Sequence, residues 1–151
     1  MSSASTLESA NRPSEQLHTV LVRDVMHPGI VSCSQAATAA EIARIMTSCK
    51  VHSVAVMGLS QDERKDPLIW GIVSDLDLLE AATTPGKAAT AASLARQPVI
   101  ALRSTVSVHD AARAMVENGT SHVVVVDPDR RVPLGIVSTL DIAAVLARDA
   151  R

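Results

Sequence analysis

Gly71-Ile72-Val73-Ser74-Asp75-Leu76-Asp77 and Gly135-Ile136-Val137-Ser138-Thr139-Leu140-Asp141 are one seven-residue pattern written twice. Each copy starts in a β-branched run suited to a strand and passes into residues that accept a helix. The Ser falls where a helix N-cap belongs, and the Asp lies in the first helical turn, where negative charge is favoured. Gly at the head of each copy permits close approach to the backbone. A strand that runs into a capped helix, twice in one chain, predicts a duplicated unit.

Reading outward from the first corner, Val22-Arg23-Asp24-Val25-Met26 reads as a short helical turn, and the apolar trio Gly29-Ile30-Val31 predicts a strand. From Thr38 to Cys49, residues Ala39, Ile42, Ala43, Ile45 and Met46 recur at helical spacing, with Glu41 and Arg44 on the other face. Val51 to Met57 and Leu68 to Val73 predict two antiparallel strands around the charged loop Gln61 to Pro67. Leu76, Leu78 and Leu79 then open a helix that runs to the break at Thr83-Thr84-Pro85-Gly86.

The second copy keeps the order: a turn at Ala92 to Ala95, a strand at Val99 to Leu102, a helix at Val108 to Asn118, strands at His122 to Val126 and Val132 to Val137, and a helix at Thr139 to Ala147. An offset of 69 matches Met46 with Met115, 70 matches His52 with His122, and 64 matches Gly71 with Gly135, the drop reflecting a longer loop in the first copy. The predicted fold class is therefore α/β (α+β), with two repeats that each hold a small sheet and two helices and pack with pseudo-two-fold symmetry, since neither sheet is large enough to stand alone. The predicted divisions are a flexible tail over residues 1–19, a first repeat over 20–84, a linker over 85–90 and a second repeat over 91–148. Residues 1–18 are rich in Ser, Glu, Asn and Pro without apolar periodicity, and are expected to be dispensable.

Composition removes several classes of function. The 151 residues are 47% hydrophobic, Phe and Tyr are absent, Trp70 is the single Trp, and the formal charge is −2. Without aromatic rings to stack bases or a basic surface to hold phosphates, no nucleic-acid partner is expected. No apolar run reaches the roughly 18 residues of a spanning helix, and residues 1–19 hold no signal-peptide apolar core, so a cytoplasmic protein with no membrane partner is expected. Cys33 and Cys49 are too few for a disulfide framework or a four-ligand zinc site and read most simply as free thiols. No activated nucleophile, acid and base pair or phosphate-gripping Gly-rich loop is visible, so no enzyme is expected.

The chemistry then rests on the duplicated corner. A helix N-terminus offers backbone N–H groups to an anion, and an Asp carboxylate can accept two hydrogen bonds from a ribose diol. Ser at the cap with Asp at N3 also fits a plain capping box. The joint recurrence of Gly, Ser and Asp at the same boundary in both copies is what points past capping to a ligand.

Over residues 20 to about 147 the chain resembles a tandem pair of CBS (cystathionine beta-synthase type) domains. These repeats occur in the AMP-activated kinase gamma subunit, in inosine monophosphate dehydrogenase and in stand-alone prokaryotic proteins. The resemblance is carried by Val25-Met26-His27-Pro28, Ala43-Arg44-Ile45-Met46, Val51-His52-Ser53-Val54, Ser121-His122-Val123-Val124 and both Gly-x-x-Ser-x-x-Asp corners. It implies that hydroxyl and Asp contact the phosphate and ribose of AMP, ADP, ATP or S-adenosylmethionine, with adenine among apolar strand residues. One implied site is Ser74 and Asp77 with Ile30, Val31, His52 and Ser53; the other is Ser138 and Asp141 with Val99, Ile100, Ser121 and His122.

The resemblance further implies a regulatory module with no required cofactor, binding its adenosyl ligand in the cleft between the repeats and signalling to a separate partner protein. It also implies a homodimer joined through the helices Thr38 to Cys49 and Val108 to Asn118. One departure matters: many family members carry Arg or Lys between the hydroxyl and the Asp, where this chain has Asp75-Leu76 and Thr139-Leu140. Asp75 places a like charge beside a phosphate, opposing it by roughly 1–4 kcal/mol. The first corner is therefore expected to be the weaker, with S-adenosylmethionine and adenosine exempt from that penalty. Two alternatives stay open: a constitutive dimeric assembly module with empty clefts, and a metal- or redox-responsive protein using Cys33 and Cys49.

Overall fold

In the computed structural model, which describes residues 14–86, 89–130 and 132–149, the chain runs α1 (Ser14–Thr19), α2 (Val22–Val25), β1 (His27–Pro28), β2 (Ser32–Cys33), α3 (Ala39–Cys49), β3 (Ser53–Leu59), β4 (Pro67–Ser74), α4 (Asp75–Thr83), α5 (Ala91–Leu94), β5 (Ala101–Arg103), α6 (Val108–Asn118), β6 (His122–Val126), β7 (Pro133–Ser138) and α7 (Thr139–Asp149). The expected mixed α/β order with small sheets is present. Two compact units contain these elements: Gly29–Val99, and the described residues up to Pro28 together with those from Ile100 onward.

In the Gly29–Val99 unit the β-branched runs make a three-stranded sheet, β2-β3-β4. β2 lies parallel to β3, and β3 lies antiparallel to β4 with Ser53 opposite Ser74 and Val54 opposite Val73. α3 begins at a complete capping box, Thr38 with Glu41, and stops where Lys50 adopts a left-handed φ of 54°. Its apolar stripe places Ile42 and Met46 in a core with Val54, Val56 and Val73 of the sheet, closed by Ala81, Ala91 and Leu94. Burial of each Val, Ile, Leu or Met side chain among these contributes about 1.5–3 kcal/mol.

The other unit holds the four-stranded sheet β1-β7-β6-β5. Val123, Val125 and Val137 face Val108, Ala111 and Met115 of α6 and Ile142 and Val145 of α7, with Val22 of α2 completing the same core. The short β6–β7 turn is held by Asp127, whose Oδ1 accepts from the backbone of Asp129 at 2.9 Å and of Arg130 at 2.8 Å.

The two copies trade their leaders. α5 belongs to the second copy in sequence, yet Ala91 and Leu94 are buried with the strands of the first; α2 belongs to the first copy, and Val22 is buried with the strands of the second. The bridges follow the same exchange, Leu21 pairing with Ser107 and Thr38 with Thr90. A helical turn of four residues cannot bury a face by itself, and each leader finds its apolar contacts on the other copy.

Three readings are corrected. The strand predicted at Gly29-Ile30-Val31 is absent; β1 ends at Pro28 and β2 starts at Ser32. Gly29, at φ +82°, turns the chain out of one sheet before it enters the other. The strand predicted at 99–102 begins two residues later, at Ala101. The tail is ordered in its last six residues, where Ser14–Thr19 forms α1. α1 packs on α6 and α7, Leu17 joins the core at 8% exposure, and His18 stacks on His109 with ring centroids 3.9 Å apart. One apolar residue in a polar segment suffices because a pocket for it already exists. Residues 1–13 of the expected tail lie outside the described residues.

Candidate ligand-binding site

The first corner is assembled by the β3–β4 pairing. Ser74 ends β4 and caps α4, and the two residues form a reciprocal box: the Asp77 backbone N–H donates to Ser74 Oγ at 3.2 Å, and the Ser74 backbone N–H donates to Asp77 Oδ2 at 2.8 Å. Asp77 is 6% exposed. A buried carboxylate with one free oxygen costs several kcal/mol unless that oxygen is also satisfied. Its Oδ1 accepts from Arg96 Nε at 3.0 Å.

Ser53 is buried opposite Ser74 across the strand pair. His52, exposed, accepts from the Asp75 backbone N–H through its carbonyl at 2.9 Å, and its Nδ1 lies 3.2 Å from Asp75 Oδ2. Ile30 and Val31 are half-buried, and the Val31 carbonyl accepts from Ala55 at 2.9 Å. All six residues expected at this site belong to the Gly29–Val99 unit.

The second corner repeats the first with one substitution of partner. The Ser138 backbone N–H donates to Asp141 Oδ2 at 2.8 Å, Ser138 Oγ donates to the same oxygen at 3.1 Å, and the return bond from the Asp141 backbone is long at 3.4 Å. Asp141 Oδ1 lies 2.9 Å from His27 Nε2. His122 stands opposite Ser138 in the β6–β7 register, and the Ser121 carbonyl accepts from Thr139 at 3.0 Å. The half-buried Ile100 accepts from Val124 at 2.9 Å. Val99 is the last residue of the Gly29–Val99 unit, whereas its five expected companions belong to the other.

These registers correct the offset of 70. Ser53 faces Ser74 and His122 faces Ser138, so the residue equivalent to His122 is Ser53, at an offset of 69, and His52 corresponds to Ser121. The same 69 relates the caps Thr38 and Ser107 and the left-handed closing residues Lys50 and Gly119.

It also relates His27 to Arg96, the two partners of the corner carboxylates that reading the corners alone missed. Each sits on an exchanged leader and crosses a corner strand, His27 opposite Ile136 and Arg96 opposite Ile72. The corner glycine makes room for that crossing. A Cβ at Gly71 would lie 2.8 Å from Ala95 Cβ and 3.2 Å from the Arg96 carbonyl, and one at Gly135 would collide with the His27 carbonyl. The close approach that Gly permits is therefore made by the leader strand. Applying the offset to Met26-His27-Pro28 was the signal that would have found Arg96.

Elsewhere, Cys33 is half-buried and Cys49 exposed, both as free thiols. Burial first, and the Glu41 carboxylate second, push the Cys33 thiol above its ordinary range, which lowers the thiolate fraction that metal binding or exchange requires. Among the described residues no group of three or more His, Cys, Asp or Glu is placed to hold a metal ion, and no helix is long and apolar enough to cross a membrane. A groove of about 700 Å³ runs between α3 and α4, lined by Ala39, Ala43, Met46, Leu78, Leu79 and Ala82 among others.

The family model described as CBS domain matches residues 22–83 and 91–148. An uncharacterized protein of Methanopyrus kandleri is 29% identical over 132 residues, which cover 85% of this chain and 64% of that protein; the chain thus spans less than two thirds of the length of the curated relative it matches. Among solved structures, the CBS domain pair of protein MJ0100 in complex with 5′-methylthioadenosine and S-adenosyl-L-methionine is 25% identical with a TM-score of 0.68, covering 83% of this chain and 98% of that one. The CBS domain of the bacterial CNNM/CorC family Mg2+ transporter in complex with ATP is 19% identical with a TM-score of 0.71, covering 94% of this chain and 97% of that one.

Proposed function

The chain belongs to the CBS domain family, and from that premise we propose that it is a non-catalytic regulatory module whose Ser and Asp corners take an adenosyl ligand and whose bound state is read by a separate protein. The observation that carries this reading is the duplicated corner, which offers a Ser hydroxyl, an Asp carboxylate that is at least partly buried and the start of a helix twice. Adenosine derivatives present a diol and, when phosphorylated, an anion, and these are the groups such a corner complements. Solved family members carry 5′-methylthioadenosine, S-adenosylmethionine and ATP, which supports the same ligand class here.

The proposed ligand positions are Ser74 and Asp77 with His52, Ser53, Ile30 and Val31 for the first corner, and Ser138 and Asp141 with Ser121, His122, Ile100 and Val99 for the second. A second reading, a constitutive assembly module, is favoured by one observation. Both carboxylates already have partners on each oxygen, so the corners are complete as helix caps. A thermal-shift panel of adenosine, 5′-methylthioadenosine, S-adenosylmethionine, AMP and ATP separates the two. A true ligand at 100 times its dissociation constant adds about 2.7 kcal/mol to the folded state. Failure of every member of the panel to raise the melting temperature at millimolar concentration would leave the assembly module as the better reading.

A further inference from the structure

The two corners differ in the side chain that each leader delivers to the Asp, and the difference is one of charge. At the Asp77 corner the partner is Arg96, a permanent cation. At the Asp141 corner it is His27, a cation only when protonated. Resting on the adenosyl-ligand reading above, we propose that Arg96 is the phosphate-binding residue of the Asp77 corner, so that this corner selects a phosphorylated adenosine while the Asp141 corner selects an adenosyl compound without phosphate.

Arg96 spends only Nε on Asp77, at 3.0 Å. The guanidinium carries five N–H donors in a planar fork, so both terminal nitrogens remain, on a side chain 59% exposed. No other carboxylate lies within ion-pair distance of it among the described residues. Its fixed geometry also matches two phosphate oxygens at once. The Ser74 hydroxyl adds a donor: Oγ accepts from the Asp77 backbone and donates to no acceptor among the described residues. Ser138, by contrast, donates its hydroxyl proton to Asp141 at 3.1 Å.

Asp75, the charge expected to repel a phosphate, has a partner on each oxygen. Its Oδ1 accepts from the Leu76 backbone at 2.8 Å and its Oδ2 lies 3.2 Å from His52 Nδ1. The cation absent from between Ser74 and Asp77 in sequence is supplied by the leader segment that follows α5 instead. The order of the corners for phosphorylated ligands is thereby the reverse of the one that Asp75 alone suggests.

The test is titration calorimetry of the full chain at pH 8, above the ordinary histidine range, with AMP and with adenosine on the wild type, Arg96→Met and His27→Arg. The wild type is expected to bind one AMP per chain, with an affinity that falls as salt is raised. Arg96→Met should lower the ratio of AMP to adenosine affinity at least tenfold. His27→Arg, which replaces the partner of the Asp141 carboxylate with a permanent cation, should create a second AMP site. An unchanged ratio in Arg96→Met together with no second site in His27→Arg overturns the proposal while leaving the adenosyl reading standing. A wild type that binds neither compound overturns both.

Discussion

Asp77 and Gly71 exemplify how much one residue can show by itself. The carboxylate three places after a Ser at a strand end is legible as a cap or a ligand group from adjacent residues alone. What lies against it is not, since Arg96 reaches Asp77 across 19 residues of chain. Gly71 is the link between them, because it leaves space for the backbone segment that carries Arg96. Gly71→Ala would press a methyl group to 2.8 Å from Ala95 Cβ and 3.2 Å from a backbone carbonyl. Backbone cannot retreat as a flexible side chain can, and such overpacking costs about 1–3 kcal/mol. Urea denaturation should register that loss, and AMP affinity should fall with it as Arg96 is pushed off the corner. A variant as stable as the wild type would show that the leader is not clamped there.

Among elements, the helices were the easiest to read and the shortest segments the hardest. α3 and α6 declare themselves by apolar spacing and by the caps Thr38 and Ser107. β1 and β2, two residues each, carry no period to read, and their places are set by β7 and β3 across the sheet. α1 escaped for a different reason. Its single buried side chain, Leu17, gives no amphipathic pattern, and its fit depends on a core built mostly by the distant residues of α6, β6, β7 and α7. Leu17→Ala is expected to cost about 2 kcal/mol and to lower the melting temperature by about 4–8 °C. A melting temperature within about a degree of the wild type in calorimetry would return α1 to the status of a dispensable tail.

At the scale of the whole molecule, unpartnered apolar surface is the notable quantity. Leu76 and Leu79 of α4 are 62% and 63% exposed, Val116 of α6 is 82% exposed and Leu140 of α7 is 67% exposed. Leu79 sits on the groove between α3 and α4. Single exposed leucines are ordinary, but Leu79, exposed on an apolar groove, marks a surface that association can cover. This supports the proposed homodimer through helices. Light scattering at micromolar concentration should give about twice the 15.8 kDa of one chain, and Leu79→Glu should return the mass to that of a single chain. A wild type already at the single-chain mass would rule the dimer out.

The sequence by itself determined what neighbouring residues control: the doubling, the strand and helix order, the caps, the duplicated corner and the family to which they belong. Those are local properties, since β-branching, helical spacing and Ser or Thr caps act within a few residues of themselves. The tertiary structure decided which copy each leader serves, that Leu17 enters a core, and that Arg96 guards one carboxylate while His27 guards the other. The physical reason is reach. A four-residue turn and a two-residue strand have no stable position of their own, so their place is chosen by whichever distant surface buries them, and the side chains they carry arrive with them.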